Sequence, residues 1–152
     1  MNILIKNIPE EGIKADALVL PLFENNSIDI YSDIDSITGG FIRRVINSKE
    51  FTGKQNQTAL LHVRNINSDR ILLIGLGKQS DITTDRIRQA GGKAFSFLRD
   101  IGVKDIAVSS GIFDYLPKSF KASQRPVFYF MEGGLLSLYK FENTKNQKTA
   151  RR

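Results

Sequence analysis

The sequence predicts an α/β fold in which helices cover a mixed or mostly parallel sheet, and three observations carry that reading. Asp16 to Phe23 is a nearly continuous apolar run, the pattern of a strand buried on both faces. Thr84 to Ile101 repeats its apolar residues at helical spacing. Between and around these two, strand-like and helix-like segments alternate.

In chain order, residues 2–8 read as a first strand and residues 16–23 as a second, joined by a turn at Pro9-Glu10-Glu11-Gly12. Ile34, Ile37, Phe41 and Val45 then fall on one helical face, with Asp33 as its expected cap and Gly39-Gly40 as a weak point. Thr58 to Val63 and Arg70 to Ile74 read as two strands separated by the polar loop Arg64 to Asp69. In the clearest helix Ile87, Ala90, Ala94, Leu98 and Ile101 share a face. Thr83 or Thr84 caps its start, Asp85 favours the positive end of its dipole and Gly102 suits its stop. Lys104 to Ser109 reads as a fifth strand, and Val127 to Tyr139 as a helix after Pro126. From Phe141 to Arg152 the chain is polar, lysine-rich and without period, which reads as a linker, so the expected division is a domain over 1–141 and a basic tail over 142–152.

Composition excludes whole classes of chemistry. The 152 residues, 41% apolar and 25% charged, suffice for one core without staples. With no cysteine there is no disulfide scaffold, thiol nucleophile, iron–sulfur cluster or cysteine zinc site. His62 is the only histidine and sits in the apolar run Leu60 to Val63, which reads as a structural or edge-strand position without a visible co-ligand. No apolar stretch approaches the ~20 residues of a membrane span, and no secretory leader is visible at the N-terminus, so a cytoplasmic protein is expected. The net charge of +6 would suit an acidic partner such as DNA, but residues 140–152 contribute +4 of it.

Two turns are candidate ligand loops. Gly75-Leu76-Gly77-Lys78 follows a strong strand, where glycine-turn amides cradle phosphates, although the dinucleotide and P-loop spacings fail at Leu72, Gln79 and Ser80. Ser109-Ser110-Gly111 also ends a strand, with Ile112 and Phe113 turning back toward the core. For both, a plain strand-to-loop turn is the simpler reading. Asp33 with Asp35, and Asp81 with Asp85, lie beside helix starts where caps are expected, and Arg43-Arg44, Arg86 and Arg88 read as solvated faces. One histidine assembles no Ser/His/Asp set. The residues alone describe an α/β module without catalytic equipment.

Five segments, in order, resemble the N-terminal domain of the leucyl aminopeptidase (cytosol aminopeptidase) family of two-zinc metallopeptidases. They are Ala15 to Phe23, Phe51-Thr52-Gly53-Lys54, Arg70 to Lys78, Arg88 to Ala94 and Glu132 to Phe141. The resemblance implies a macro-like three-layer sandwich, a mixed sheet flanked by helices, ahead of a separate peptidase domain. It implies that the two zinc or manganese ions, the catalytic lysine and the motif Asn-Thr-Asp-Ala-Glu-Gly-Arg belong to that second domain. This sequence lacks the motif, so no catalytic, metal or cofactor residue is expected in it. It further implies a homo-hexamer for full-length members, with this domain supporting assembly and, in some bacterial members, touching DNA. The segment Val127 to Phe141, with Met131, Leu135, Leu138 and Tyr139, is the expected contact with the peptidase domain. Ser109 to Phe113 also resembles the phosphate loop of macrodomains that bind ADP-ribose, an alternative weakened because the expected Asn-rich and glycine-rich segments shrink to Asn25-Asn26 and Gly39-Gly40.

Overall fold

Five strands form one sheet in the order β1-β5-β2-β4-β3: β1 (Asn2–Lys6), β2 (Ala15–Leu22), β3 (Thr58–His62), β4 (Ser68–Gly75) and β5 (Asp105–Ser109). The computed structural model describes residues 2–6, 14–24, 28–120 and 123–150. The turn expected at Pro9 to Gly12 and the pair Asn25-Asn26 lie outside these residues. β1, β5, β2 and β4 are mutually parallel and β3 runs antiparallel to β4, so the sheet is mixed.

Pleating sends alternate side chains of the central strands to opposite layers. Ala17, Val19, Leu72, Ile74, Ile106 and Val108 pack toward α3 (Thr84–Asp100) and α4 (Pro126–Ala150). Leu18, Leu20, Ile71, Leu73 and Ala107 pack on the other face with residues from α1 (Ser32–Ile37) and α2 (Phe41–Asn47). The result is the expected three-layer sandwich, and it explains why β2 reads as apolar on both faces.

The single helix expected from Ile34 to Val45 is two helices. Gly39 and Gly40 take φ of +96° and +79°, and the break rotates the phase, so Ile34 and Ile42 are buried while Ile37 and Phe41 face outward. Nor is Asp33 a cap. The capping carboxylate is Asp35, 3% exposed, whose Oδ1 accepts from the N–H groups of Ile42 and Arg43 at 2.9 and 3.1 Å. The spacing sets Asp35 beside the start of one long helix, and the start that it caps is that of α2.

α3 obeys its punctuation. Thr83 Oγ1 accepts from Arg86 N–H at 3.1 Å, and Ile87, Ala90, Ala94 and Leu98 are fully buried. Ile101 departs from the expected stripe: the helix ends at Asp100, and Ile101 lies beyond it, 42% exposed, where Gly102 turns the chain. α4 does not stop near Tyr139 but continues to Ala150, through the boundary expected at residue 141. Glu142, Lys145, Gln147, Lys148 and Ala150 are intrinsically good helix formers, so loss of apolar period did not mean loss of helix.

α3 and α4 cross with their backbones touching. A Cβ at Gly91 would overlap the Phe130 carbonyl, one at Gly133 would overlap the Arg88 carbonyl, and one at Gly134 would enter the Phe95 ring. Phe95 and Phe130 then meet edge to face at 6.2 Å, and Phe113 tilts against Phe130 at 6.0 Å. Arg88 bridges the crossing, with its Nε 3.2 Å from Glu132 and its guanidinium 4.9 Å from the Tyr129 ring.

Alanine at a helical glycine ordinarily gains about 1 kcal/mol of propensity, whereas forcing a methyl into closed backbone costs typically about 1–3 kcal/mol. Gly133→Ala should therefore destabilise the chain, because the obstructing Arg88 atoms are backbone and cannot swing away. Gly92→Ala, whose Cβ would lie 3.3 Å from the Gly133 oxygen, should be near neutral. Urea denaturation of the two variants measures the difference.

Candidate functional site

The glycine turn after β4 is built against the segment 51–57. Gly75 N–H donates to Gln57 C=O at 2.8 Å, Leu76 N–H to Leu22 C=O at 2.8 Å, and Gly77 N–H to Gly53 C=O at 2.9 Å. A Cβ at Gly75 would overlap the Lys54 carbonyl, and Gly77 has φ of +78°. The N–H groups of Gly75, Leu76 and Gly77 that a phosphate would need are committed to backbone carbonyls, so glycine serves close approach here. Lys78 is exposed beside the turn.

An arrangement that sequence reasoning missed lies in the same knot. The consecutive N–H groups of Thr52, Gly53 and Lys54 converge on one acceptor, Gln57 Oε1, at 2.9, 3.1 and 3.3 Å, and Thr52 Oγ1 joins at 3.2 Å. Such a nest of amides normally attracts an anion. Here a neutral side-chain oxygen fills it. No spacing rule announces a glutamine that caps the turn three to five residues before it.

The second candidate turn leaves β5. Ser109 and Ser110 are buried, and Gly111–Tyr115 winds into a 3-10 turn that drives Ile112 and Phe113 into the core on the α3–α4 side. Gln79 Nε2 donates to the Tyr115 carbonyl, tying this turn to the one after β4. The β2–β5 ladder ends at Val19 with Val108, two residues before Pro21, so proline's missing N–H breaks no bond there. Tyr31, fully buried, donates its hydroxyl to Pro21 C=O at 2.7 Å. The parting of neighbouring strands at their carboxyl ends is where open α/β sheets hold ligands; here a tyrosine hydroxyl closes one side of it.

The four residues expected to contact another domain divide. Met131 and Leu138 pack against the core beneath α4. Leu135 and Tyr139 are exposed at 51% and 66%, and Phe128 and Leu136, not expected from the sequence, join them at 45% and 49%. Spacings of seven and four put Phe128, Leu135 and Tyr139 in one line along the outer side of the helix. The side chains of Lys140 to Arg152, which carry most of the basic excess, lie outside the described residues.

No group of three or more His, Asp or Glu that could hold a metal occurs among the described residues. Nor is any described helix long and apolar enough to cross a membrane. His62 is exposed on the edge strand, and Asp35 is committed to its cap and to Arg43 at 3.6 Å.

Residues 19–148 match the N-terminal domain of the cytosol aminopeptidase family. The chain belongs to that family. It is 33% identical over 137 residues to a probable cytosol aminopeptidase of Geobacter sp. (strain M21), covering 90% of this chain and 26% of that protein. It is 29% identical over 150 residues to the cytosol aminopeptidase of Pseudomonas aeruginosa (strain PAO1), covering 97% of this chain and 30% of the other. The chain thus spans less than a third of the length of these relatives. Among solved structures, a tomato leucine aminopeptidase mutant superposes with a TM-score of 0.68 at 20% identity, over 90% of this chain and 28% of that one. A Trypanosoma brucei macrodomain superposes with 0.63 at 14% identity, over 94% of this chain and 56% of that one, which is a likeness of fold.

The geometry gives physical content to the segments that resemble the cytosol aminopeptidase family. Three of them, around Phe23, Gly53 and Gly75-Gly77, meet in the one knot, and the other two are the halves of the α3–α4 crossing.

Replacing Gln57 by alanine leaves the amides of the nest without their acceptor, at about 1–3 kcal/mol, whereas Gln57→Glu keeps an acceptor oxygen of equal reach. Thermal unfolding should place Gln57→Ala well below the parent and Gln57→Glu close to it, with the gap between the variants as the diagnostic.

Proposed function

We propose that this chain is a non-catalytic module that supports a zinc or manganese aminopeptidase, working through contact with the peptidase domain. The single observation that carries the reading is the exposed apolar line Phe128, Leu135, Leu136 and Tyr139 on α4, the helix in which the family match ends. Isolated exposed apolar residues are ordinary, but four of them on the outer side of one helix, grouped around Glu132, suit a surface for a partner. The metal ions and catalytic groups are proposed to belong to the peptidase domain, a reading supported by the match of this chain to the family's N-terminal domain. Cytoplasm is the proposed compartment, supported by the names of the relatives. The homo-hexamer of the family is the proposed assembly of the longer protein.

A second reading, a nucleotide or ADP-ribose module, draws on the macro-like fold and on the position of the Ser110-Gly111 turn beside the parted ends of β2 and β5. The committed amides of the glycine turn and the Tyr31 hydroxyl weigh against it.

Incubated with a leucyl anilide and added zinc or manganese, the isolated chain should release no product above buffer; turnover that follows the chain through purification would overturn the first reading. In a protein that carries this chain ahead of its peptidase domain, Leu135→Glu with Tyr139→Glu should lower the assembled fraction on sizing while the isolated chain unfolds at an unchanged temperature. Titration calorimetry with ADP-ribose is expected to be silent, and saturable heat would favour the second reading.

A further inference from the structure

β3 is an outermost strand of the sheet, and Thr58–His62 carries no proline, lysine or acidic residue to discourage edge pairing. Thr58 to Leu61 are half-buried and His62 is exposed. The ladder to β4 shows which backbone groups are open. Gly75 N–H donates to Gln57 C=O at 2.8 Å, and Val63 N–H donates to Asp69 C=O at 3.1 Å. In antiparallel alternation Ala59 and Leu61 then also turn their amides toward β4, while Thr58, Leu60 and His62 turn theirs outward. On that outer side β3 has no strand neighbour among the described residues.

We propose that this edge pairs antiparallel with the same edge of a second copy of the chain, about a two-fold axis at Leu60. The strand is its own complement. Thr58 stands opposite His62 of the second copy and Leu60 opposite Leu60, and each is a pair that exchanges both its N–H···O bonds. On the α3–α4 side Leu60 meets its copy, and on the other face Ala59 meets Leu61; the first is only partly covered by one core and the other two by the second core. Charge selects the same occupant. Most of the net charge of +6 lies in residues 140–152, outside this strand, and Thr58–His62 carries no formal charge, so two copies meet along it without like-charge repulsion as far as Arg64. An acidic or basic partner finds no charge on it to read. The contact is isologous and joins two five-stranded sheets into one. Five paired residues bury less than the roughly 1,000 Å² of a stable interface, so association of the isolated chain is weak and concentration-dependent.

Sedimentation velocity of the full chain between about 10 μM and about 1 mM should show a monomer passing into a dimer as concentration rises. Leu60→Lys sets like charges opposite each other at the axis and should weaken association about tenfold or more. Should that variant fail to fold, His62→Pro removes an outward N–H and no bond to β4, and should keep the thermal transition while losing the dimer. The chain has no cysteine, so single cysteines report the contact directly. A hydrogen-bonded antiparallel pair sets Cα atoms about 5.5 Å apart, within disulfide range. Leu60→Cys should cross-link on mild oxidation and Tyr139→Cys should not. A monomer at every concentration, a folded Leu60→Lys or His62→Pro variant that dimerises as the parent does, or cross-linking through position 139 in preference to position 60 overturns the proposal.

Discussion

The layer on one side of the sheet rests on a contact of backbone with backbone. α3 and α4 cross at Gly91 and Gly133 so closely that neither position has room for a methyl group. Because the helices meet at main chain, Phe95, Phe113 and Phe130 can close around the crossing and fill the volume between helix and sheet. The same contact fixes the rotation of α4. With Val127, Phe130 and Gly134 turned to the core, Phe128, Leu135 and Tyr139 must line the opposite side. The exposed line that supports a partner surface is thus a consequence of where two glycines lie.

The second knot, where the ends of β2 and β4 meet the segment 51–57, works by the same principle and has a different consequence. A glycine turn after a strand usually advertises free amides. In this chain those amides close the fold: Gly53, Gln57 and Leu22 take them. The nest of consecutive amides at Thr52 to Lys54 is filled from within by Gln57. Ligand-loop grammar has been turned to structural use.

Much of this was legible in the residues because it depends on local physics. Continuous apolar runs gave β2, and helical period with a threonine cap gave α3. Misreadings arose wherever a distant group decided. Asp35 reaches forward to cap α2, Ile101 falls just past a helix end, and Met131 and Leu138 are drawn to the core while their neighbours are not. The Gln57 cap was invisible because an amide side chain has no period or signature of its own.

By itself the amino-acid sequence determined the fold class, the order and kind of nearly every element and the absence of cysteine chemistry, since these follow from composition, periodicity and local punctuation, and it showed the family through the likeness of five ordered segments. Only the tertiary structure decided which amides are free, which face of α4 is bare and which strand is left at an edge. Those are questions of what each group meets, and a group's partner lies tens of residues away along the chain, where spacing carries no information about contact.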